Sequence, residues 1–281
     1  MLRIDLHSHT TCSDGALKPS ELVMRAGQMQ LDALAITDHD TVAGIDLAKQ
    51  AVIEQGAKLK IISGVELSTA WHGFEIHILG YNVDESDERF LNRLKQQQQT
   101  RQERGMAIVD KLNKAGLAMD YDELAQCAKG VISRGHIAQM LVKKGVCEHP
   151  QQAFSRYLGK NKKAYVAPKW IDIKTAVSWI IDAGGQASIA HPFHYDMTTK
   201  WLRRLAAEFA SYGGHAMEVQ HPNLAKPKHD LMVSIANEQS LLASVGSDFH
   251  APGRWTELGK RLTLADNIRP IWHDWQLSNE A

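Results

Sequence analysis

The chain has few cysteines, no excess of either charge and no long apolar run, and each absence argues against a class of protein. Three cysteines, Cys12, Cys127 and Cys147, stand far apart in 281 residues, so neither a disulfide framework nor a thiolate zinc site is indicated. Lys plus Arg and Asp plus Glu each number 32, so net charge does not favour binding to long duplex DNA. No apolar run approaches the roughly 18 residues of a membrane span, and the first residues show no signal-peptide pattern. We therefore expect a soluble cytoplasmic protein that contacts no membrane.

What the sequence does contain is an alternation of short apolar strands and amphipathic helices. Strands are predicted at 2–6, 33–37, 60–65, 186–190, 216–219 and 242–246, and a hairpin with arms at 67–70 and 74–81. Helices are predicted at 19–30, 41–55, 174–183, 199–212 and 228–238. This alternation favours a (β/α) barrel or a doubly wound sheet. In either fold the active site lies at the carboxyl ends of the strands.

The strand signal disappears in mid-chain, where a helical, basic segment begins. We interpret residues 85–169 as an insertion into a domain formed by residues 1–84 and 170–281. From Arg89 to Lys169 there are 16 Lys and Arg but six Asp and Glu, an excess of ten positive charges in a neutral chain. Such a run is usually a solvated helix surface, but an excess this large on one segment predicts anion binding. The predicted substrate-binding residues are Arg101, Arg104, Arg134 and His136, the last two in a segment that opens a helix.

Metal-ligating residue types recur where the predicted strands end. They are His7, His9, His39, Glu66, His77, His191, Asp248 and His250, with Asp14 in the loop after the first strand. A single histidine at a strand end is usually structural, but nine such side chains at one edge of a sheet predict a metal site. They exceed the three or four protein ligands of one catalytic metal, so two or three divalent ions are expected. Nitrogen and oxygen ligands favour manganese, iron or zinc over Cu(I).

The order of these motifs resembles that of the polymerase and histidinol phosphatase (PHP) domain family. The motifs are His7-Ser8-His9, Thr37-Asp38-His39-Asp40, Gly64-Val65-Glu66, His77-Ile78-Leu79-Gly80-Tyr81, Ala190-His191-Pro192 and Gly246-Ser247-Asp248-Phe249-His250. The resemblance is greatest to a bacterial branch with a helical insertion in mid-chain. It implies an α/β fold, a distorted seven-stranded (β/α) barrel. It also implies hydrolysis of 3′,5′-nucleoside bisphosphates, or 5′-3′ trimming of short single-stranded 5′-phosphorylated RNA or DNA oligonucleotides.

The resemblance also implies how the ligands divide among the ions, of which manganese is the most expected. One ion would take His7, His9, Glu66 and Asp248, a second Glu66, His77 and His191, and a third Asp14, His39 and His250. The ions would activate the attacking water, so no protein nucleophile is needed. Asp38 and Asp40 flank His39 and are candidates for fixing its tautomer, with a plain turn role as the alternative. His194 is a candidate for protonating the leaving oxygen, although a solvated loop histidine is the simpler interpretation.

Two other functions compete with this one. A small-metabolite phosphatase of the histidinol phosphate type would use the same ligands. A non-catalytic metal-binding structural module is the alternative from a different class, because family domains attached to replicative polymerases can serve as structural parts. The complete set of ligand-type residues argues against the non-catalytic module.

Overall fold

A computed structural model describes residues 2–128, 130–253 and 256–277, and a nearly closed barrel dominates it. Its strands are β1 (Ile4–Asp5), β2 (Ala33–Ile36), β3 (Lys60–Trp71), β4 (Phe74–Tyr81), β5 (Ile171–Asp172), β6 (Gln186–Ile189), β7 (Ala216–Gln220) and β8 (Leu242–Val245). Seven follow the path β1-β2-β3-β4-β6-β7-β8, and β5 pairs with β3 off this path. The Leu6 amide donates to the Val245 carbonyl at 3.1 Å, which brings the two ends of the path together. The predicted seven-stranded barrel is therefore confirmed.

One long strand replaces the separate strand and hairpin arm predicted at 60–65 and 67–70. β3 continues for 12 residues, so Glu66 lies within it and not at its end. The strand changes partner instead of stopping. Residues 60–63 pair in parallel with β2, whereas residues 64–71 pair in antiparallel with β4. The continuous parallel pairing with β2 ends at Ser63, and a single parallel bridge between His39 and Glu66 follows it. This bridge keeps the Glu66 carboxylate at the carboxyl end of the parallel strands.

Nine helices form within the described residues, and capping residues mark the ends of several of them. They are α1 (Pro19–Gln28), α2 (Ala43–Gln55), α3 (Glu88–Lys114), α4 (Tyr121–Ala128), α5 (Arg134–Lys143), α6 (Pro150–Ala153), α7 (Ile173–Asp182), α8 (Thr199–Ser211) and α9 (Lys226–Glu238). Asp87 caps α3 by accepting from the Phe90 amide at 2.6 Å. Gly56 ends α2 in the left-handed conformation, with φ 59°. The five helices predicted outside the insertion all form within two residues of their predicted bounds.

Helix α3 connects two apolar cores. Phe90 and Leu94 pack into the barrel core, whereas Ile108 and Leu112 belong to a second cluster that also takes apolar residues of α4, α5 and α6. The insertion therefore has buried apolar side chains of its own, and its first helix is anchored in the barrel. The predicted division at residues 85 and 169 stays a prediction. Across the residues described, no helix is both long enough and apolar enough to cross a bilayer.

Candidate metal centre and adjoining cleft

All nine predicted ligands meet at the carboxyl end of the barrel. Glu66 is central, because its two carboxylate oxygens lie within 3.4 Å of ring nitrogens from five histidines. These histidines are His7, His9, His39, His77 and His191. Among the described residues, ligand atoms within 4.8 Å of one another form three groups. The groups are His9, Asp14, His39 and His250; His7, His9 and Glu66; and His39, Glu66 and His77.

The first predicted set has the spacing of metal ligands. The Nε2 atoms of His7 and His9 each lie 3.3 Å from Asp248 Oδ1. They also lie 3.4 and 3.3 Å from Glu66 Oε2. Bonds of about 2.1 Å at tetrahedral angles separate neighbouring ligand atoms by roughly 3.4 Å. These four side chains are therefore spaced to share one ion.

The other two sets are close together but do not divide as cleanly as the resemblance implied. Glu66 Oε1 lies 2.8 Å from His77 Nδ1 and 3.0 Å from His191 Nε2, which suits the second set. His250 Nε2 lies 3.3 Å from Asp14 Oδ1 in the third set. His39 faces both sets, with Nδ1 2.9 Å from Glu66 Oε2 and Nε2 3.9 Å from Asp14 Oδ2. The predicted assignment of His39 to the third ion alone is thus one of two that the geometry allows.

Buried polar atoms without a partner show that this cluster fits a cation. Five candidate ligand atoms are buried and accept or donate no hydrogen bond within the described part of the chain. They are His7 Nε2, His9 Nε2, Asp14 Oδ1, His39 Nδ1 and Glu66 Oε2. Leaving one buried polar group unpaired costs about 1–3 kcal/mol. Five in one cluster are explained if they coordinate metal, because divalent ions bind both imidazole nitrogen and carboxylate oxygen.

The carboxylates of the cluster have the protonation state that suits metal binding, whereas the histidines differ among themselves. Burial opposes ionisation of Glu66, but the neighbouring imidazoles of His39 and His77 hold its pKa well below the usual range. Burial also opposes ionisation of Asp14 and Asp248, but neighbouring histidines hold the pKa of each well below its ordinary value.

Burial lowers the pKa of His39 to about 4, so this ring is neutral near pH 7. Burial also opposes protonation of His7, His9, His191 and His250, but the neighbouring carboxylates raise the pKa of the first three above the ordinary value and that of His250 to about 10. Carboxylate and neutral imidazole are the forms that coordinate metals. Metal binding would therefore release protons from these four rings.

Two buried acids that the sequence reasoning missed support the cluster. Glu218 in β7 lies 3.1 Å from His7 Nδ1, which leaves His7 Nε2 to face the other ligands. Asp5 accepts hydrogen bonds from the amides of His7 and Ser247 at 3.2 and 2.9 Å, so it ties together the ends of β1 and β8. Carboxylates that orient metal-ligating histidines are common in metal sites. The sequence does carry a signal that could have identified these two residues, because Asp5 and Glu218 are each an acid inside an otherwise apolar strand.

Asp38 does not hold His39 as predicted. Its carboxylate is buried against the loop after β1, where it accepts from the Thr10 amide at 2.7 Å and from the Thr10 and Ser13 hydroxyls at 2.6 Å. The reason is geometric, because successive side chains at a strand end point to opposite faces. Asp38 therefore shapes the loop that carries Asp14.

His194 lies beside the cluster, with its ring centroid 5.8 Å from that of His191. Burial, followed by the charges of His191 and His221, lowers the pKa of His194 to about 4. At neutral pH the ring is therefore unprotonated, which does not favour the predicted role as a general acid. A neutral imidazole can still donate one hydrogen bond to an oxygen.

A cleft of about 280 Å³ adjoins the cluster and brings the three predicted arginines to it. Its lining includes the ligand candidates Asp14, His39, His77 and His250, the arginines Arg101, Arg104 and Arg134, and Glu75 and Trp170. Arg104 donates two hydrogen bonds to Glu75, and Arg134 donates one to the same carboxylate at 3.0 Å. The guanidinium groups of Arg101 and Arg104 lie over the Trp170 ring, 5.1 and 5.4 Å from its centroid.

His136 has a structural contact in this region. Its Nδ1 accepts a hydrogen bond from the Ser133 amide at 3.1 Å, and the Ser133 hydroxyl accepts from the amides of Gly135 and His136. These bonds form a capping box at the start of α5. Ser133, Arg134 and Gly135 line the cleft, so this helix N-terminus adjoins it as predicted.

Known proteins share both the sequence and the fold. A model of the PHP domain matches residues 5–176. A 5′-3′ exoribonuclease of Haemophilus influenzae is 45% identical over 270 residues, which cover 96% of this chain and 98% of that protein. A 3′,5′-nucleoside bisphosphate phosphatase of Chromobacterium violaceum is 36% identical over 277 residues, covering 98% and 96%. A solved structure from C. violaceum, titled an amidohydrolase with bound sulfate and no metal, has a TM-score of 0.88 at 36% identity, covering 96% of this chain and 94% of its own.

Proposed function

We propose that this chain, which belongs to the PHP domain family and is a metal-dependent phosphoesterase, cleaves substrates that carry two phosphate groups on one nucleotide. Two substrate classes have this feature. They are 3′,5′-nucleoside bisphosphates and short single-stranded oligonucleotides with a 5′-phosphate, which the chain would shorten from that end. The observation that carries the proposal is the arginine-lined cleft directly beside the candidate metal ligands.

The proposed centre holds two or three divalent ions on the nine predicted ligands, with manganese the most expected and iron or zinc as alternatives. Bound ions of this kind lower the pKa of water and stabilise the charge of a displacement at phosphorus. The chain itself positions the substrate. The cluster receives the phosphate to be cleaved, and the arginines of the cleft receive the other one by charge-assisted hydrogen bonds. We expect this chemistry in the cytoplasm.

A 5′-phosphate in the cleft and a 3′-phosphoester at the cluster explain both classes with one binding mode. The cleft and the cluster share His39, His77, Asp14 and His250 as lining residues, so the two phosphates need be no farther apart than the ribose that joins them. In a bisphosphate the 3′ bond is to a terminal phosphate. In an oligonucleotide it is to the next nucleotide. Histidinol phosphate has one phosphate and would leave the arginines without an anion.

The test is phosphoester hydrolysis by the metal-loaded protein on a matched panel. The panel contains a 3′,5′-nucleoside bisphosphate, RNA and DNA tetranucleotides with and without a 5′-phosphate, histidinol phosphate and a chromogenic phosphate monoester. We expect the 5′-phosphate to raise kcat/KM on each tetranucleotide by at least tenfold, with 5′-mononucleotides as products. Equal rates with and without the 5′-phosphate, or a preference for histidinol phosphate, would contradict the proposal. Metal-loaded protein inactive on every substrate would support the structural module instead.

A further inference from the structure

Asp40 occupies an unusual position between two candidate ligands. It directly follows His39, and its amide donates a hydrogen bond to the Glu66 carbonyl at 2.9 Å. Its backbone is left-handed, with φ 51°, a conformation that few residues with a side chain adopt and that Asp tolerates better than most. Its side chain is completely buried. A buried carboxylate on a strained backbone persists only when its surroundings hold it there.

Three of the partners of Asp40 come from the middle of α3. Asp40 Oδ1 accepts from the Ser68 amide at 3.0 Å and from Gln97 Nε2 at 3.3 Å, and Oδ2 accepts from Arg101 Nε. Gln98 Nε2 donates to the Asp40 carbonyl at 2.9 Å. Gln97 also donates to the Ser68 carbonyl at 2.8 Å, and Arg101 donates to the Ser68 hydroxyl. Every acceptor of Asp40 is therefore used, and α3 supplies three of the donors.

This network reaches both candidate ligands through short covalent paths. Asp40 is one residue from His39, and Ser68 is two residues from Glu66. A shift of the Asp40 turn by even 1 Å would change the 2.9 Å separation between His39 Nδ1 and Glu66 Oε2. Gln97 and Arg101 lie one helical turn apart on α3, and both are buried. The helix is fixed at both ends, because its first half packs in the barrel core and its second half in the insertion core.

We infer that Asp40, Gln97 and Arg101 are positioning residues that hold His39 and Glu66 at metal-binding distance, so that α3 is part of the metal centre. Arg101 thereby differs from the other two cleft arginines. Its Nε and one terminal nitrogen bind the protein itself, so these two donors act on the ligands, and only the second terminal nitrogen is left for a substrate phosphate. This inference rests on the proposed metal centre but not on the identity of the substrate.

The experiment measures metal binding directly. Metal-free wild-type protein and the variants Gln97→Met and Asp40→Asn are titrated with Mn²⁺ in a calorimeter, and thermal unfolding is recorded without metal. Methionine keeps the approximate volume of glutamine but cannot donate to Asp40. Gln99→Met is the matched control, because Gln99 is two residues along the same helix, exposed, and bonded to Glu103. Loss of an orienting partner typically weakens metal affinity 10–100-fold.

We expect a dissociation constant for Mn²⁺ at least tenfold higher in Gln97→Met and Asp40→Asn, and unchanged in Gln99→Met. A merely structural role would lower the unfolding temperature and leave metal affinity the same, which would overturn the inference. If Asp40→Asn does not fold, Gln97→Met alone decides the outcome. A wild-type protein that binds no Mn²⁺, Fe²⁺ or Zn²⁺ would overturn the proposed centre, and this inference with it.

Discussion

Replacing Arg134 by alanine is the sharpest test of the proposal that the cleft holds the phosphate that is not cleaved. The three cleft arginines are not equivalent. Arg101 binds Asp40 and Ser68, and both terminal nitrogens of Arg104 bind Glu75. Arg134 gives one terminal nitrogen to Glu75, and its side chain is 30% exposed. Arg134 is therefore the arginine with the most donor capacity left for a ligand.

The size of the effect follows from this geometry. A hydrogen bond to a charged group contributes about 1.5–3 kcal/mol. The exposure of Arg134 and its shared contact with Glu75 place it in the lower part of that range, at about 1.5–2 kcal/mol. Each factor of ten corresponds to about 1.4 kcal/mol, so Arg134→Ala should lower kcat/KM roughly 10–30-fold for substrates with two phosphates. Most of the change should appear in KM, because the contact between Arg134 and the phosphate is the same in the bound substrate and in the transition state.

The assay compares two substrates in the same protein preparations. A 3′,5′-nucleoside bisphosphate should show the full effect, and a chromogenic monoester without a second phosphate should change less than twofold. Arg156→Ala is the control. Arg156 is exposed on the same insertion and does not line the cleft, so its substitution removes the same charge from outside the cleft. Equal losses on both substrates would refute the reasoning, because Arg134 would then support the cluster and not the substrate. An equal effect of Arg156→Ala would reduce the role of Arg134 to general charge attraction.

Three further predictions concern the same site. Burial opposes ionisation of Glu75, but Arg104 and Arg134 lower its pKa, so this side chain is an anion that competes with the substrate phosphate. Glu75→Gln should therefore lower KM for the bisphosphate about fivefold, equivalent to about 1 kcal/mol. A higher KM would show that Glu75 mainly orients the arginines. Asp248→Asn and His9→Ala should each lose at least one ion, measured by elemental analysis, and most activity, with the circular dichroism spectrum retained; full metal content with wild-type turnover would contradict the ligand assignment. Mn²⁺ at 100 times its dissociation constant should stabilise the folded protein against unfolding by about 2.7 kcal/mol. Calorimetric unfolding with and without a chelator measures this difference. Identical unfolding curves would argue against a metal site in the folded protein.

The candidate ligands could be predicted because they follow strands. A strand of parallel sheet delivers its last residues to one edge, so His7, His39 and His191 are neighbours in space although they are far apart in sequence. The bounds of β3 could not be predicted in the same way. Nothing in the sequence near Glu66 marks the point where the strand exchanges β2 for β4, because both pairings suit the same apolar residues. The supporting acid Glu218 needed the fold, since its partner His7 lies 211 residues away.

The positive charge of the insertion shows a further limit of sequence reasoning. An excess of ten charges predicted anion binding, but a charge count does not say which side chains are available. Lys143 and Lys144 pair with Glu123 on the surface, and Lys111 donates to the Tyr165 carbonyl. Two acids, Asp40 and Glu75, already contact the three cleft arginines. These five side chains together carry a net charge of plus one, so the position of that charge beside the ligands matters more than the total charge of the segment.

The contacts of the insertion also bear on which nucleic acids can reach the centre. Besides α3, the segment before α5 touches the barrel where the Val131 amide donates to the Cys12 carbonyl at 3.0 Å, two residues before Asp14. A side chain at Gly130 would place its Cβ 2.3 Å from the same carbonyl oxygen, so only glycine allows this approach. The insertion therefore forms a wall of the site. The cleft it leaves, about 280 Å³, is near the lower limit of small-molecule pockets. That volume suits one nucleotide at the end of a single strand, whereas the end of a duplex would have to be unpaired before it could enter. We therefore expect duplex substrates to be cleaved more slowly than single strands of the same sequence.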